Sequence, residues 1–90
     1  MTNVVVTGSS QGIGLGLAKE FCARGHNVMI AGRSEETLSH ALASLQTLPG
    51  LSESHICDVA EADQVQALWD SAVEAFGKVD IWINNAGLAR

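Results

Sequence analysis

The sequence predicts an α/β fold, a doubly wound parallel sheet with helices on both faces. Two observations predict it: short apolar segments rich in β-branched residues alternate with longer segments of helical periodicity, and glycine-containing turns separate them. The elements follow in the order β-α-β-α-β-α-β, which implies parallel strands. Right-handed crossovers then favour the strand order 3-2-1-4. A chain of 90 residues suits one domain or part of one.

The first two strands enclose one helix. Asn3–Thr7 and Asn27–Ala31 are short apolar runs typical of buried strands. Between them, Gly12–Arg24 has apolar residues at helical spacing, and Gly25 stands where a glycine commonly ends a helix. These segments predict a β-α-β unit with a glycine-rich turn after its first strand.

The second helix begins at a capping residue. Ser34 is a favoured N-cap, and two glutamates follow it in the first turn, where the helix dipole stabilises negative charge. Leu38, Leu42 and Leu45 form one apolar stripe, and Pro49-Gly50 is expected to end the helix.

The last part of the chain contains the clearest helical pattern. Ser54–Val59 predicts the third strand, Ala62–Phe76 an amphipathic helix that Gly77 ends, and Val79–Ile83 the fourth strand. Two tryptophans are predicted to pack inside the fold. Trp69 shares the apolar stripe of the helix and is expected in the core, and Trp82 is expected to pack against a helix.

Composition and charge exclude several classes of function. The net charge of −5 leaves too few cations for a nucleic-acid or membrane-binding face. No apolar stretch approaches the roughly 20 residues that span a bilayer, and the N-terminus lacks a signal-peptide pattern, so a cytoplasmic location is predicted. Cys22 and Cys57 belong to no metal-binding or redox motif. They are expected to be reduced and mostly buried, and no metal site is predicted.

Three glycines join the first strand to the first helix, and their positions indicate a site for a phosphate-bearing dinucleotide. Gly8 permits a sharp turn, Gly12 lets the backbone approach a diphosphate closely, and Gly14 lets the helix pack tightly against the sheet. The N–H groups of the first helical turn then face the anion. The alternative is a glycine-rich turn that binds no ligand.

This turn and two later motifs resemble the short-chain dehydrogenase/reductase family over essentially the whole chain. The motifs are Thr7-Gly8-x-x-x-Gly12-Ile13-Gly14, then Asp58 after the third strand, then Asn84-Asn85-Ala86-Gly87 after the fourth. The resemblance implies a Rossmann-type fold. Residues 1–90 are then the N-terminal portion of a single NAD(P)-binding domain, truncated before its catalytic segment.

The resemblance also implies which residues bind the cofactor. The glycine turn holds the diphosphate and the adenine ribose, Asp58 bonds the adenine amino group with Val59 beside the base, and the NNAG segment borders the cofactor's ribose. The residues so implied are Gly8, Ser10, Gln11, Gly12, Ile13, Gly14, Asp58, Val59, Asn85, Ala86 and Gly87. Two alternatives stay open: Asp58 is a solvated carboxylate or a helix N-cap, and Asn84 and Asn85 form a strand-ending turn.

Arg33 directly follows the second strand, where an acidic side chain would bind the 2′-hydroxyl of NAD. An arginine instead offers a charged, planar donor to the 2′-phosphate of NADP, and Ser34 adds a hydroxyl beside it. The sequence therefore predicts NADP rather than NAD. The alternative is a surface arginine paired with Glu35 or Glu36.

The family's reaction is hydride transfer between nicotinamide and a carbonyl or alcohol substrate, completed by a serine, a tyrosine and a lysine. The resemblance places those residues downstream of NNAG. This chain contains no tyrosine, and its only lysines are Lys19 and Lys78, so no catalytic residue is predicted within it. The predicted function is an NADP(H)-dependent oxidoreductase represented by its cofactor-binding half. The alternatives are a non-catalytic nucleotide-binding or sensing module with the same fold and a purely structural domain.

The fourth strand and the substrate lead to two further expectations. In an intact sheet this strand would be covered by another, so an open apolar edge favours pairing with a second chain. Family members often form dimers or tetramers, and a homo-oligomer is expected. Ile81-Trp82 ahead of Ile83-Asn84-Asn85 resembles chlorophyllide b reductase-like members of the family. Two residues do not predict a substrate, whose pocket is built by segments outside this chain.

Overall fold

The computed structural model describes residues 2–85, which form four strands and three helices. The strands are β1 (Asn3–Val6), β2 (Asn27–Gly32), β3 (Ser52–Ile56) and β4 (Ile81–Ile83). The helices are α1 (Gly12–Ala23), α2 (Glu35–Leu45) and α3 (Ala62–Phe76). All pairings are parallel and the strand order is β3-β2-β1-β4. The predicted fold class and strand order are therefore confirmed.

The sheet is covered on both faces, which explains why its central strands are continuously apolar. Alternate residues of β2 point to opposite faces, so Val28 and Ile30 contact one core and Met29 and Ala31 the other. The first core joins β2 to α1 and α2, and the second joins the sheet to α3. The buried residues of the first core are Ala18, Cys22, Val28, Ile30, Leu38, Ala41 and Leu45. Those of the second are Val5, Met29, Ala31, Cys57, Leu68 and Ala72.

The predicted helix ends are correct to within one residue where a local residue specifies them: α1 ends at Ala23 and not at Arg24. Gly25 and Gly77 adopt φ of 90° and 91° after α1 and α3, a conformation that side-chain-bearing residues rarely adopt. The Gly77 N–H donates to the Val73 carbonyl at 2.7 Å. Ser34 is the N-cap of α2, and its hydroxyl accepts from the Thr37 N–H at 3.4 Å.

The predicted end of α2 is wrong. The helix stops at Leu45, ahead of Pro49, because the turn that follows it is hydrogen-bonded to the end of α1. The Gly50 N–H donates to the Cys22 carbonyl at 2.9 Å. A Cβ on Gly50 would lie 2.0 Å from the His26 carbonyl oxygen, so only glycine permits this contact.

The strand bounds also differ from those predicted. The third strand spans Ser52–Ile56 instead of Ser54–Val59, because the pairing of Val28 with Ser52 and of Gly32 with Ile56 sets its register. The first strand ends one residue earlier than predicted, at Val6, and the fourth begins two residues later, at Ile81. In both cases the partner strand determines the bound, since residues 4–6 of β1 pair with residues 81–83 of β4.

The prediction that Trp69 lies in the core is wrong. Its side chain is 42% exposed, because the centre of the α3 contact is formed by Leu68 and Ala72. Trp82 lies against α3 as predicted, with its ring centroid 6.0 Å from that of Trp69. The two rings, together with Ala62 and other residues of α3, line an open groove of about 260 Å³.

Asp80 joins the starts of β1 and β4. Its carboxylate accepts the Asn3 N–H at 2.8 Å, and its own N–H donates to the Asn3 carbonyl at 2.9 Å. The Asn3 N–H, and after it the Lys78 ammonium at 3.3 Å, hold the pKa of the Asp80 carboxyl below its usual value.

Asp80→Asn is therefore expected to remove a pH-dependent part of the stability. A carboxyl with a lowered folded pKa stabilises the fold above its unfolded pKa of about 3.9, and that contribution is lost as the pH falls through the folded pKa. In urea unfolding, wild type should exceed Asp80→Asn near neutral pH, and the difference should shrink below about pH 4.

The same substitution at Asp70, which accepts only a side-chain bond from Gln66 among the interactions seen in residues 2–85, controls for loss of a surface charge. Identical pH profiles for the two variants would contradict the role of Asp80.

Candidate functional site

The predicted site residues lie at one edge of the sheet, because parallel strands place all their carboxyl ends there. The glycine turn follows β1, Arg33 follows β2, Asp58 follows β3 and Asn85 follows β4. β1 pairs with both β2 and β4, and α1 and α2 pack on one face of the sheet while α3 packs on the other, so the edge includes the switch point of the fold. Ala86 and Gly87 lie outside the described residues.

The glycine turn bends sharply after β1, as was predicted for Gly8. Gly8 and Gly12 adopt φ of 61° and 64°, which favours glycine. Apart from its chain neighbours and the adjacent backbone of α1, no described atom lies within 4 Å of the position of a Cβ on Gly12. Gln11 is the N-cap of α1 and makes no side-chain cap within the described part of the chain. The first turn of α1 thus presents its N–H groups to an open surface, beside the 78% exposed side chain of Ile13.

Gly14 explains how α1 approaches the turn so closely. A Cβ at this position would lie 2.5 Å from the Gly8 carbonyl oxygen, 2.7 Å from Asn85 Nδ2 and 3.0 Å from Ser9 Cα. The helix therefore begins directly against the turn that precedes it, whereas the prediction named the sheet as the surface that Gly14 lets the helix approach. This cradle, open at Gly12 and closely packed at Gly14, fits a diphosphate group.

Asn85 attaches the glycine turn to β4. Its side-chain Nδ2 donates to the Gly8 carbonyl at 3.0 Å, and its backbone N–H donates to Thr7 Oγ1 at 3.1 Å. Asn84 accepts the indole N–H of Trp82 at 2.8 Å. Asn84 and Asn85 therefore form hydrogen bonds that stabilise the end of β4, and those of Asn85 also hold the glycine turn of the candidate site.

Ser9 is a site residue that the sequence analysis missed. Its side chain is fully buried and contacts both β1 and β2: the hydroxyl donates to the Val6 carbonyl at 2.6 Å and accepts the Ala31 N–H at 2.9 Å. No sequence signal separates it from the neighbouring Ser10, which is partly exposed and lies 3.2 Å from the position of a Cβ on Gly32.

Arg33 extends from the end of β2 beside this turn. Its side chain is exposed, and it forms no ion pair with the acidic residues of the described chain, including Glu35 and Glu36. The alternative of a surface ion pair therefore has no support in residues 2–85. Ser34, the N-cap of α2, lies next to it.

Asp58 orders the turn between β3 and α3. Its Oδ1 accepts the Ala60 N–H at 3.0 Å, and its own N–H donates to Gln64 Oε1 at 2.8 Å. The N-cap of α3 is Glu61, so the alternative that Asp58 caps this helix is wrong. Val59 beside it is 38% exposed, an uncovered apolar side chain at the site edge.

Both cysteines are buried, free thiols, as predicted. Burial raises the pKa of the Cys22 thiol, and burial, followed by the negative charge of Asp58, raises the pKa of Cys57. Each thiol is therefore protonated at neutral pH and is a poor nucleophile. None of the helices in residues 2–85 combines the length and the apolar character that crossing a membrane demands.

Comparison with known proteins identifies the family. The sequence profile of the short chain dehydrogenases matches residues 2–90. The chain belongs to the short-chain dehydrogenase/reductase family. The family predicted from the three motifs is thus confirmed.

Members of this family with different substrates resemble the chain to a similar degree. It is 47% identical over 89 residues to the chloroplastic chlorophyll(ide) b reductase NOL of Oryza sativa subsp. japonica, a match covering 94% of this chain and 25% of that protein. It is 43% identical over 86 residues to 3beta-hydroxysteroid dehydrogenase 1 of Eggerthella lenta, covering 94% and 33%.

A solved member of the family was crystallised with NADPH. The actinorhodin polyketide ketoreductase superposes with a TM-score of 0.90 at 36% identity, covering 96% of this chain and 33% of that one. The chain thus spans between a quarter and a third of the length of these proteins.

Proposed function

We propose that this chain is the N-terminal, cofactor-binding part of an NADP(H)-dependent oxidoreductase acting on a carbonyl or alcohol substrate. One observation carries the choice of NADP: Arg33 is exposed, directly follows β2, and has no acidic partner in residues 2–85. The ketoreductase crystallised with NADPH supports the same choice.

In this proposal each element at the sheet edge has one task. The N–H groups that open α1 hold the diphosphate, and Gly12 leaves space for it. Arg33 binds the 2′-phosphate through a charge-assisted contact, and Ser34 adds a hydroxyl. The remaining proposed contacts come from Gly8, Ser10, Gln11, Ile13, Gly14, Asp58, Val59, Asn85, Ala86 and Gly87.

The bound cofactor would supply or accept the hydride, and the chain's own residues would hold and orient it. The chain contains no tyrosine to move a proton to or from a substrate oxygen. We therefore place proton transfer and substrate binding in residues downstream of the NNAG segment.

Direct binding tests the proposal. Titration of the protein with NADPH and with NADH, followed by calorimetry or by reduced-nicotinamide fluorescence, should give the lower Kd for NADPH. An equal or lower Kd for NADH would contradict the choice of cofactor, and binding of neither would contradict the site itself.

The second candidate is a non-catalytic nucleotide-binding or sensing module with the same fold. The coding sequence after Arg90 separates the two candidates. A downstream Tyr-x-x-x-Lys supports the oxidoreductase, and a stop codon supports the module.

The outer edge of β4 is a second feature of the proposal. β4 pairs with β1 and is the outermost strand of the described sheet, with Ile81 38% exposed. We propose that a further strand covers this edge and that the protein forms a homo-oligomer. The cytoplasmic location stays a prediction. One relative, the chlorophyll(ide) b reductase NOL of rice, is chloroplastic.

A further inference from the structure

The Ser9 hydroxyl lies at the last pair of the ladder between β1 and β2 and bonds to a backbone group of each strand. The register pairs Val6 with Ile30, so the next donor that faces the Val6 carbonyl is the Ala31 N–H. Ser9 Oγ bonds to both of these groups beside that ladder contact, 2.6 Å from the carbonyl oxygen and 2.9 Å from the amide nitrogen. All three residues are buried, with exposures of at most 1%.

The backbone of Ser9 completes a clamp between the glycine turn and β2. Its N–H donates to the Ala31 carbonyl at 2.9 Å, so Ser9 bonds to both the N–H and the carbonyl of Ala31. Ser10 then lies over Gly32, which leads directly into Arg33. The path from the diphosphate cradle to Arg33 therefore runs through a few consecutive, closely bonded residues.

We propose that Ser9 is a positioning residue that sets the separation between the diphosphate cradle and Arg33, and thereby the preference for a 2′-phosphorylated dinucleotide. The inference rests on the proposed function. A dinucleotide with a 2′-phosphate is held at two charged points, and charge-assisted hydrogen bonds weaken when donor and acceptor are displaced. Ser9 touches neither phosphate in this proposal and acts through the backbone of β2.

Removal of the hydroxyl is expected to move Arg33. In Ser9→Ala, the Val6 carbonyl loses a buried donor and the Ala31 N–H loses a buried acceptor, so both groups then depend on the ladder contact between them. We expect this loss to shift the end of β2 relative to the first turn of α1. The cradle itself keeps Gly8, Gly12 and Gly14, so binding of the diphosphate should change little.

Calorimetry with two nicotinamide-free ligands tests the inference without any hydride transfer. ADP-ribose reports on the cradle, and 2′-phospho-ADP-ribose reports on the cradle and Arg33 together. Wild type should prefer the phosphorylated ligand. In Ser9→Ala the Kd for ADP-ribose divided by the Kd for 2′-phospho-ADP-ribose should fall about tenfold. This is the scale of one weakened charged hydrogen bond. Ser44→Ala is the matched control, since its hydroxyl also donates to a backbone carbonyl at 2.6 Å, within α2.

The outcomes separate the inference from the proposed function. A wild type without preference for the phosphorylated ligand overturns the proposed cofactor. A preferring wild type whose ratio is unchanged in Ser9→Ala, or a variant that loses both ligands equally while still folded, overturns the role of Ser9 alone. If Ser9→Ala does not fold, Ser9→Cys gives the same test with a weaker hydrogen-bonding group, and an unchanged ratio there overturns the inference.

Discussion

Gly14→Ala is expected to destabilise the fold and to weaken dinucleotide binding in the same variant. The added Cβ would meet the Gly8 carbonyl oxygen at 2.5 Å and Asn85 Nδ2 at 2.7 Å. The first contact is with backbone that cannot rotate away, so α1 must move from the turn that forms the cradle. Overpacking of this kind costs about 1–3 kcal/mol of the free energy of unfolding. We expect the free energy of unfolding, measured in urea, to fall by an amount in that range. The Kd for NADPH, measured by calorimetry, should rise.

Gly16→Ala on the same helix is the matched control. Gly16 is exposed, and apart from its chain neighbours and the adjacent backbone of α1 no described atom lies within 4 Å of where its Cβ would be. Alanine is the better helix former by roughly 0.5–1 kcal/mol, so this variant should gain stability and bind NADPH as wild type does. If Gly14→Ala behaved like Gly16→Ala, the close approach of α1 to the turn would not be required.

Arg33→Asp is expected to reverse the preference between NADPH and NADH. The substitution removes a charge-assisted contact worth about 1.5–3 kcal/mol, or roughly tenfold to a hundredfold in Kd, and places a carboxylate where the 2′-phosphate would lie. The same carboxylate offers acceptors to the 2′-hydroxyl of NADH. The Kd for NADPH should therefore rise by at least about tenfold, while that for NADH stays equal or falls.

Arg24→Asp makes the same change of charge at the other end of α1, where Arg24 pairs with Glu20 on the surface. The Arg24→Asp variant should leave the ratio of the Kd for NADPH to the Kd for NADH unchanged. A wild-type ratio in Arg33→Asp would remove Arg33 from the site, and an equal shift in both variants would assign the effect to net charge.

The parts of the fold that were predictable are those that neighbouring residues determine. The bounds of α3 were correct because its apolar spacing lies within the helix itself and Gly77 ends it. Ser34 caps α2 as predicted, since its hydroxyl needs to reach only three residues along the chain. The sharp turn at Gly8 was anticipated for the same reason, whereas the positive φ values of Gly8 and Gly12 are a finding of the structure.

The wrong predictions concern residues whose position depends on a distant partner. The bounds of β3 follow from its register with β2, and the end of α2 follows from the contact of Gly50 with α1. The helical stripe placed Trp69 in the core, but Leu68 and Ala72 form the centre of the α3 contact, so the Trp69 ring lies beside Trp82 in an open groove.

The sequence alone determined the order of the elements, the glycine turn and the family, because these depend on the spacing of residues close together along the chain. Only the tertiary structure decided which polar groups hold the turn in place. The Ala31 N–H reaches Ser9 across 22 positions, and the Asn85 N–H reaches Thr7 across 78. Hydrogen bonds over such separations exist only once the strand order brings β2 and β4 to the two sides of β1, and no local pattern encodes which donor will then face which acceptor.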